Sequence, residues 1–170
     1  VRVVVTGTPG TGKTTATERL DTDLDVVHLN DVIREEGLYT ERDEERDSLV
    51  ADIDALVETY ADADDVLVES HLAHHLDDAD RVVVLRCAPE TLAERLRERD
   101  ESEAKARENA ESEALDVILG EAVGKHGRER VYEVDTTDRT PDEVAAEIAA
   151  VIDGEREPSA GEVDFTEYLL

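Results

Sequence analysis

A chain of 170 residues, 39% of them apolar, is long enough to bury one core and too short for two comfortable ones, so a single domain with small inserts is expected. Its 46 acidic against 18 basic residues give a formal charge of −28, which repels nucleic-acid backbones over the general surface and argues against a nonspecific DNA or RNA binder. One cysteine excludes an internal disulfide framework; with no charged-then-apolar leader and no apolar run of membrane-spanning length, a soluble, cytoplasmic monomer without membrane contact is expected.

Val1, Val3, Val4 and Val5 form a short β-branched run of the kind that makes a buried parallel strand. Gly7, Thr8, Pro9, Gly10, Thr11, Gly12, Lys13 and Thr14 then satisfy G-x-x-x-x-G-K-[ST], a glycine-rich loop whose backbone N–H groups can curl around an anion. A helix to about Leu20 follows. Lys13 is placed for the β- and γ-phosphates of a triphosphate, the Thr14 hydroxyl for a magnesium ion between them, and Thr15 for the α-phosphate. This stretch points to a nucleoside triphosphate with Mg2+ before any other residue is considered.

Val26, Val27 and Leu29 suggest a second strand, and Asn30 to Glu36 a short helix capped by Asn30 or Asp31 and stopped by Gly37. Arg34 is a cation that a phosphate could use, or one paired with a neighbouring carboxylate. Residues 39–47 are nearly all charged and show no strand pattern, as a flap or a solvated loop would. A helix is predicted from about Arg46 to Tyr60, with Leu49, Ile53, Leu56, Val57 and Tyr60 at helical spacing.

Val66, Leu67 and Val68 make a third strand that ends in Glu69, Ser70 and His71. Ligands of open α/β sheets sit beyond the carboxyl ends of strands, so Glu69 is placed to hold a metal-bound water or the γ-phosphate, and His71 to orient a water or brace the loop. His71, His74, His75 and Glu69 invite a zinc reading, but no second carboxylate or cysteine set lies at a recognisable interval. One functional histidine, with His74 and His75 at the surface, is the expectation.

Arg81 to Leu85 reads as a fourth strand and Pro89 opens a helix that carries Arg95 and Arg99 on one face. Two guanidinium groups so placed could close over a triphosphate, or simply pair with carboxylates on a solvated helix. A long helix is predicted from about Ala104 to Val123, with Ala114, Leu115, Ile118, Leu119 and Ala122 buried. Lys105 and Arg107 lie in its first turn, where the helix dipole disfavours them unless an anion is near. Val131 and Val134 mark a fifth strand, and Thr136 and Thr137 follow it, where a nucleotide base could rest. Pro141 starts a last helix to Ile152. Residues 153–162 read as loosely ordered, and the segment around Phe165 as able to dock on the domain or a partner. Strands alternating with helices imply an α/β fold, a mostly parallel sheet with helices on both faces.

The phosphate loop, His28 to Tyr39, Val68-Glu69-Ser70-His71, Arg95 to Arg99 and Lys105 to Glu113, in this order, resemble the small adenylate kinases shared by archaea and eukaryotes. The eukaryotic members are the coilin-interacting nuclear ATPase and its yeast ribosome-assembly counterpart. The resemblance covers residues 1–152 and implies a P-loop sheet of five parallel strands in the order 2-3-1-4-5. It further implies a monophosphate-binding insert at 31–60, a short lid at about 99–109 and an acidic tail at 153–170. It implies ATP and AMP as substrates, giving two ADP with magnesium, a weaker ATPase activity, and the small-subunit ribosomal protein uS11 as a partner in rRNA maturation. On this resemblance Arg34 contacts the monophosphate, Glu69 and His71 stand where the family has aspartate, another residue and histidine, Arg95 and Arg99 flank the lid, and Thr136 and Thr137 approach the triphosphate's base.

The acid surplus with only three lysines is the habit of proteins that work in concentrated salt. Fold and activity are expected to weaken below about 0.5 M salt, where surface charges are less screened.

Overall fold

The computed structural model describes residues 1–43 and 48–170. Its main sheet has five parallel strands, β1 (Arg2–Gly7), β2 (Asp25–His28), β5 (Val66–Glu69), β6 (Arg81–Arg86) and β7 (Val131–Asp135). Their order is β2-β5-β1-β6-β7, which renumbered within this sheet is the 2-3-1-4-5 of the sequence reading. Strand β1 therefore lies at the centre, with the strand order diverging on either side of it. Ligands of open sheets bind beyond such a point.

Residue alternation along the strands decides which helix covers which face. Val3, Val5, Leu67, Val83, Leu85 and Val134 point to one side, against Ala16 of α1 (Lys13–Glu18) and Val144, Ile148 and Val151 of α7 (Pro141–Ile152). Val4, Val68, Val82 and Val84 point to the other, against Leu29 and Ile33 of α2 (Leu29–Glu36), Leu56 of α3 (Ile53–Thr59), and Ile118, Leu119 and Ala122 of α6 (Val117–His126). A satellite cluster joins α4 (Pro89–Glu98) to α5 (Glu103–Ala114) through Leu92, Leu96, Ala106 and Ala110.

Several elements depart from the sequence expectations. Leu29 opens α2 rather than closing β2, and the N-cap is His28, with no side-chain cap, in place of Asn30 or Asp31. Two strands, β3 (Tyr39–Asp43) and β4 (Ser48–Ala51), pair antiparallel as a hairpin where a loop and the start of a helix are predicted. Charge obscured it: a two-stranded ribbon outside the sheet needs little apolar surface, and Leu49 belongs to a strand. The predicted helix start near Arg46 lies outside the described residues, and α3 begins at Ile53, where the Asp52 side chain accepts from Ala55 N at 3.1 Å.

The long helix predicted over 104–123 is two helices. Asp116 between them takes a left-handed conformation (φ 55°), and its carboxylate accepts from Arg86 Nη2 at 2.5 Å. The break leaves Leu115, expected in the core, 61% exposed. Residues 153–162 are not loose: Ser159 donates from its backbone to Val131 O at 3.0 Å and accepts from Glu133 N at 2.9 Å, so the segment lines the outer edge of β7. Farther on, the Phe165 ring lies 5.5 Å from the Arg86 guanidinium carbon.

Candidate active site

The loop between β1 and α1 has a backbone that glycine makes possible. A Cβ on Gly7 would lie 2.7 Å from Leu85 O and 2.8 Å from Thr11 Oγ1, so no side chain fits where β1 turns. Gly12 caps α1 at φ 92°, in the left-handed region, with open space where its Cβ would be. Inside this curve the Lys13 ammonium donates to Gly7 O at 2.9 Å and Thr8 O at 3.1 Å, and its side chain is buried. Burial pushes its pKa down to about 8; Arg99 adds to the fall, while Glu69 and Glu113 oppose it.

Thr14 and Glu69 meet at the mouth of the loop. The Thr14 hydroxyl donates to Glu69 Oε1 at 3.2 Å, and His28 Nδ1 lies 2.7 Å from Glu69 Oε2. A hydroxyl and a carboxylate oxygen converging beside a phosphate loop are the hard oxygen donors that suit magnesium, so the residues present fit that ion. His28 fixes the second carboxylate oxygen, a contact that sequence reasoning did not foresee because His28 belongs to a different strand.

Two of the cavities open on opposite sides of β1. The first, of about 590 Å³, is lined by Asn30, Arg34, Tyr39, Arg42, Leu49 and His71, among others. Arg34 is exposed there and pairs with Asp31 at 2.6 Å, the carboxylate pair that was one of the two sequence alternatives. Asn30 is held by Ser70, whose hydroxyl donates to Asn30 Oδ1 at 2.8 Å. Burial, with Lys13 and His75 nearby, pushes the His71 pKa down to about 4, so its imidazole is neutral at pH 7. Tyr39 and Arg42 were missed by sequence reasoning because the hairpin that delivers them was read as a loop.

The second cavity, of about 540 Å³, is lined by Gly10, Gly12, Thr15, Arg95, Arg99 and Thr136, with Arg139 beside them. Arg95 does not point at open space: Nη2 donates to Thr136 O at 2.9 Å and Nη1 to Gly10 O at 3.4 Å, tying the phosphate loop to the turn after β7. Thr136 reinforces the tie, its hydroxyl donating to Thr11 O at 3.0 Å. Thr137 accepts from Ala88 N at 2.8 Å. Arg99, at the C-cap of α4, lines the cavity without an ion pair among the described residues. Lys105 is 3.6 Å from Glu101, and Asn109 donates to Lys105 O, so neither faces a cavity described above.

A buried group under the loop also escaped the sequence. Arg86 is 1% exposed and meets Glu113 at 3.1 Å, Asp116 at 2.5 Å and Glu133 at 2.8 Å. Glu113 in turn accepts from the Thr8 hydroxyl at 2.9 Å and from Cys87 N at 2.8 Å. The network thus runs from the tail side of β7 to the phosphate loop. His74, expected at the surface, is buried behind β1 with Nδ1 2.7 Å from the Thr6 hydroxyl.

A five-stranded parallel sheet with this order, a glycine-rich loop ending in Lys13-Thr14, and a strand-end carboxylate beside it define a P-loop protein of the nucleotide-kinase kind. Residues 3–116 match a family model described as an AAA domain. The chain is 68% identical over 169 residues to a protein of Natronomonas pharaonis named "Putative adenylate kinase", covering 99% of this chain and all of that one. It is 66% identical to a protein of the same name from Halobacterium salinarum (99% and 100% covered), and 44% identical to one from Methanothermobacter thermautotrophicus (99% of each). The chain therefore belongs to the adenylate-kinase-like family of archaeal P-loop proteins. Among solved structures, shikimate kinase from Bacteroides thetaiotaomicron shares the fold at a TM-score of 0.57 and 18% identity, covering 91% of this chain and 98% of that one. No helix among the described residues is long and apolar enough to cross a membrane.

Proposed function

We propose that the protein transfers the γ-phosphoryl group of ATP to AMP, giving two ADP, and hydrolyses ATP more slowly when no acceptor is bound. The observation that carries this reading is a pair of cavities, about 540 Å³ against the phosphate loop and about 590 Å³ lined by His71 and the 30–51 segment, each large enough for a nucleotide. A plain hydrolase needs one of them; a transferase between two nucleotides needs both. In this reading ATP occupies the Arg99 and Thr136 side, with its phosphates in the loop, and AMP occupies the Arg34 and Arg42 side.

The transfer needs no protein nucleophile. A phosphate oxygen of AMP attacks the γ-phosphorus, the bond to the bridging oxygen of ADP breaks, and Lys13 with Arg99 offsets the charge that develops. Thr14 and Glu69 would hold a magnesium ion, with His28 orienting the carboxylate, and the ion would supply charge neutralisation to the phosphates. Arg95 and Thr136 act on the loop's shape rather than on the substrate. The reading assigns the 31–60 segment to monophosphate binding and the 99–109 segment to a lid over the triphosphate, and closing of the two would exclude water. His71 lines the acceptor cavity as a neutral imidazole, and with AMP absent it can orient a water there by accepting its hydrogen bond, which is the reading's account of the slower hydrolysis.

An acceptor screen in high salt tests the reading, with AMP, dAMP, CMP, GMP and no acceptor side by side. The expected result is two ADP per ATP consumed with AMP, faster than phosphate release without it. Equal ATP consumption with and without every acceptor would make the protein an ATPase instead.

A further inference from the structure

Behind the phosphate loop, on the face of the sheet covered by α6, a set of side chains converges that the transfer reaction does not use. His74 and His75 come from the short 3-10 turn at Ala73–His75, and Glu121 from α6. His74 Nε2 lies 3.7 Å from Glu121 Oε2, and His75 Nε2 lies 3.5 Å from the same oxygen. One ligand atom from each of the three residues falls within 4.8 Å of the others. We propose that these three residues form a site for a divalent transition-metal ion of the zinc class, clamping the segment after β5 to α6.

The strongest support is an atom with nothing to do. His74 is 1% exposed, and its Nε2 has no hydrogen-bond partner. A buried ring nitrogen left unsatisfied has given up its water for nothing, so a partner is called for. The other ring nitrogen is engaged, Nδ1 lying 2.7 Å from the Thr6 hydroxyl. With Nδ1–H donated to Thr6, Nε2 presents a lone pair toward a carboxylate, and a metal ion between these two acceptors satisfies both. In the other tautomer the Nε2–H points at an oxygen 3.7 Å away, beyond hydrogen-bond reach. A proton on Nε2 would face the same oxygen across the same 3.7 Å.

Geometry and chemistry agree on the ion. Ligand atoms at about 2.0–2.2 Å from a tetrahedral zinc lie roughly 3.3–3.5 Å from one another, so the two His–Glu distances of 3.5 and 3.7 Å need only a small contraction, and bringing all three atoms, now within 4.8 Å, onto one ion calls for a turn of the partly exposed His75 ring. Two imidazoles with a carboxylate suit zinc, cobalt or nickel, while magnesium and calcium prefer all-oxygen sets. The Thr6 contact is the outer-shell bond that orients a ligating imidazole, and His126 Nε2, 2.8 Å from His74 O, fixes the backbone of the same residue. His75 and Glu121 are partly exposed, which leaves an entry path and a fourth position for water. The His-Glu pairing spans two distant elements, which is why no sequence interval revealed it.

The test uses the full chain, stripped with a chelator and kept in high KCl at pH 7.5. Zn2+ is titrated against a chromophoric chelator, with Co2+ as a visible-absorption probe and Mg2+ for comparison. His75→Ala and Glu121→Gln, on the partly exposed side, are the variants, and Glu69→Gln and the surface change Glu90→Gln are controls. Expected are one tight Zn2+ per chain and a ligand-field band with Co2+. Each ligand variant should weaken Zn2+ binding by more than about tenfold, the loss that even an outer-shell partner brings. A rise in melting midpoint with Zn2+ should appear in the parent and both controls and be absent from the ligand variants. Loss of binding in Glu69→Gln with retention in His75→Ala would move the ion to the nucleotide site and overturn the proposal. So would binding as weak as that of the ligand variants, or equal affinity for Mg2+.

Discussion

The Lys13 ammonium is held by carbonyl oxygens of its own loop, and that environment gives nucleotide binding a pH dependence. Its pKa is about 8, and a bound polyphosphate favours the charged form, so the pKa of the complex is higher. Binding therefore takes up a proton above pH 8. The affinity for Mg-ATP should be level below that pH and fall by up to about tenfold per pH unit above it, until the pKa of the complex is reached. Calorimetry in buffers of different ionisation enthalpy reads both effects; an affinity flat from pH 7 to 9.5 would show the loop lysine is not the contact. Lys13→Ala should lower phosphoryl transfer by at least about 10²-fold, the scale for removing one preorganised charge from a transition state. His71 runs the other way on stability. Its folded pKa, about 4, is below its unfolded value near 6.5, so the unfolded chain binds the proton first. Stability is full above pH 6.5 and is lost as pH falls toward 4, at up to about 1.4 kcal/mol per pH unit for this group. Urea unfolding of the parent and of His71→Gln between pH 7 and 4.5 should show the shallower slope in the variant.

Arg86 is where element-scale stability concentrates. It joins the end of β6 to β7, to the C-terminal end of α5 and to the break before α6, and through Glu113 it reaches Thr8 of the phosphate loop. Removing one partner from a buried ionic cluster strands the others, here three carboxylates, so Arg86→Met should cost about 3–5 kcal/mol. Urea midpoints at fixed high salt check it, and a loss under 1 kcal/mol would mean that the carboxylates are solvated. None of this was legible from sequence, because the guanidinium's partners come from separate elements and Glu113 looks like any other acid on a charged helix. What sequence did reveal shares one property: the signal is local. The β-branched strands, the loop from Gly7 to Thr14, the Gly37 stop and the Pro141 start each carry their own geometry within a few residues. The hairpin at 39–51 failed because its charged strands give no apolar alternation, and the α5–α6 break failed because Asp116 turns for a tertiary partner. Likewise Arg95 and Arg99 share a helix face as read, but the carbonyls of Gly10 and Thr136 hold the first and not the second.

At the scale of the whole molecule the dominant quantity is the charge of −28. Ion pairs cannot offset any of it, since pairing all 18 bases with acids still leaves 28 of the 46 acids without a basic partner, and these repel across the surface. One cluster makes the point locally: Asp21, Asp23 and Asp153 line a single cavity between the turn after α1 and the end of α7, with no ion pair to any of them among the described residues. Screening length shrinks from roughly 10 Å at 0.1 M salt to about 3 Å at 1 M, so repulsion between such neighbours fades over that range. The melting midpoint should therefore climb with KCl, most steeply below about 0.5 M, and level off beyond 1 M. Replacing Asp21, Asp23 and Asp153 together by asparagine separates charge relief from the general salting-out of apolar surface, because the variant keeps its shape and loses only charge. At 0.2 M KCl it should melt about 2–4 °C above the parent if the relief is worth about 1 kcal/mol, and at 2 M the difference should vanish. A midpoint gain that persists undiminished at 2 M would mean that repulsion at this cluster is not what salt removes, and a parent midpoint indifferent to KCl would overturn the screening account altogether.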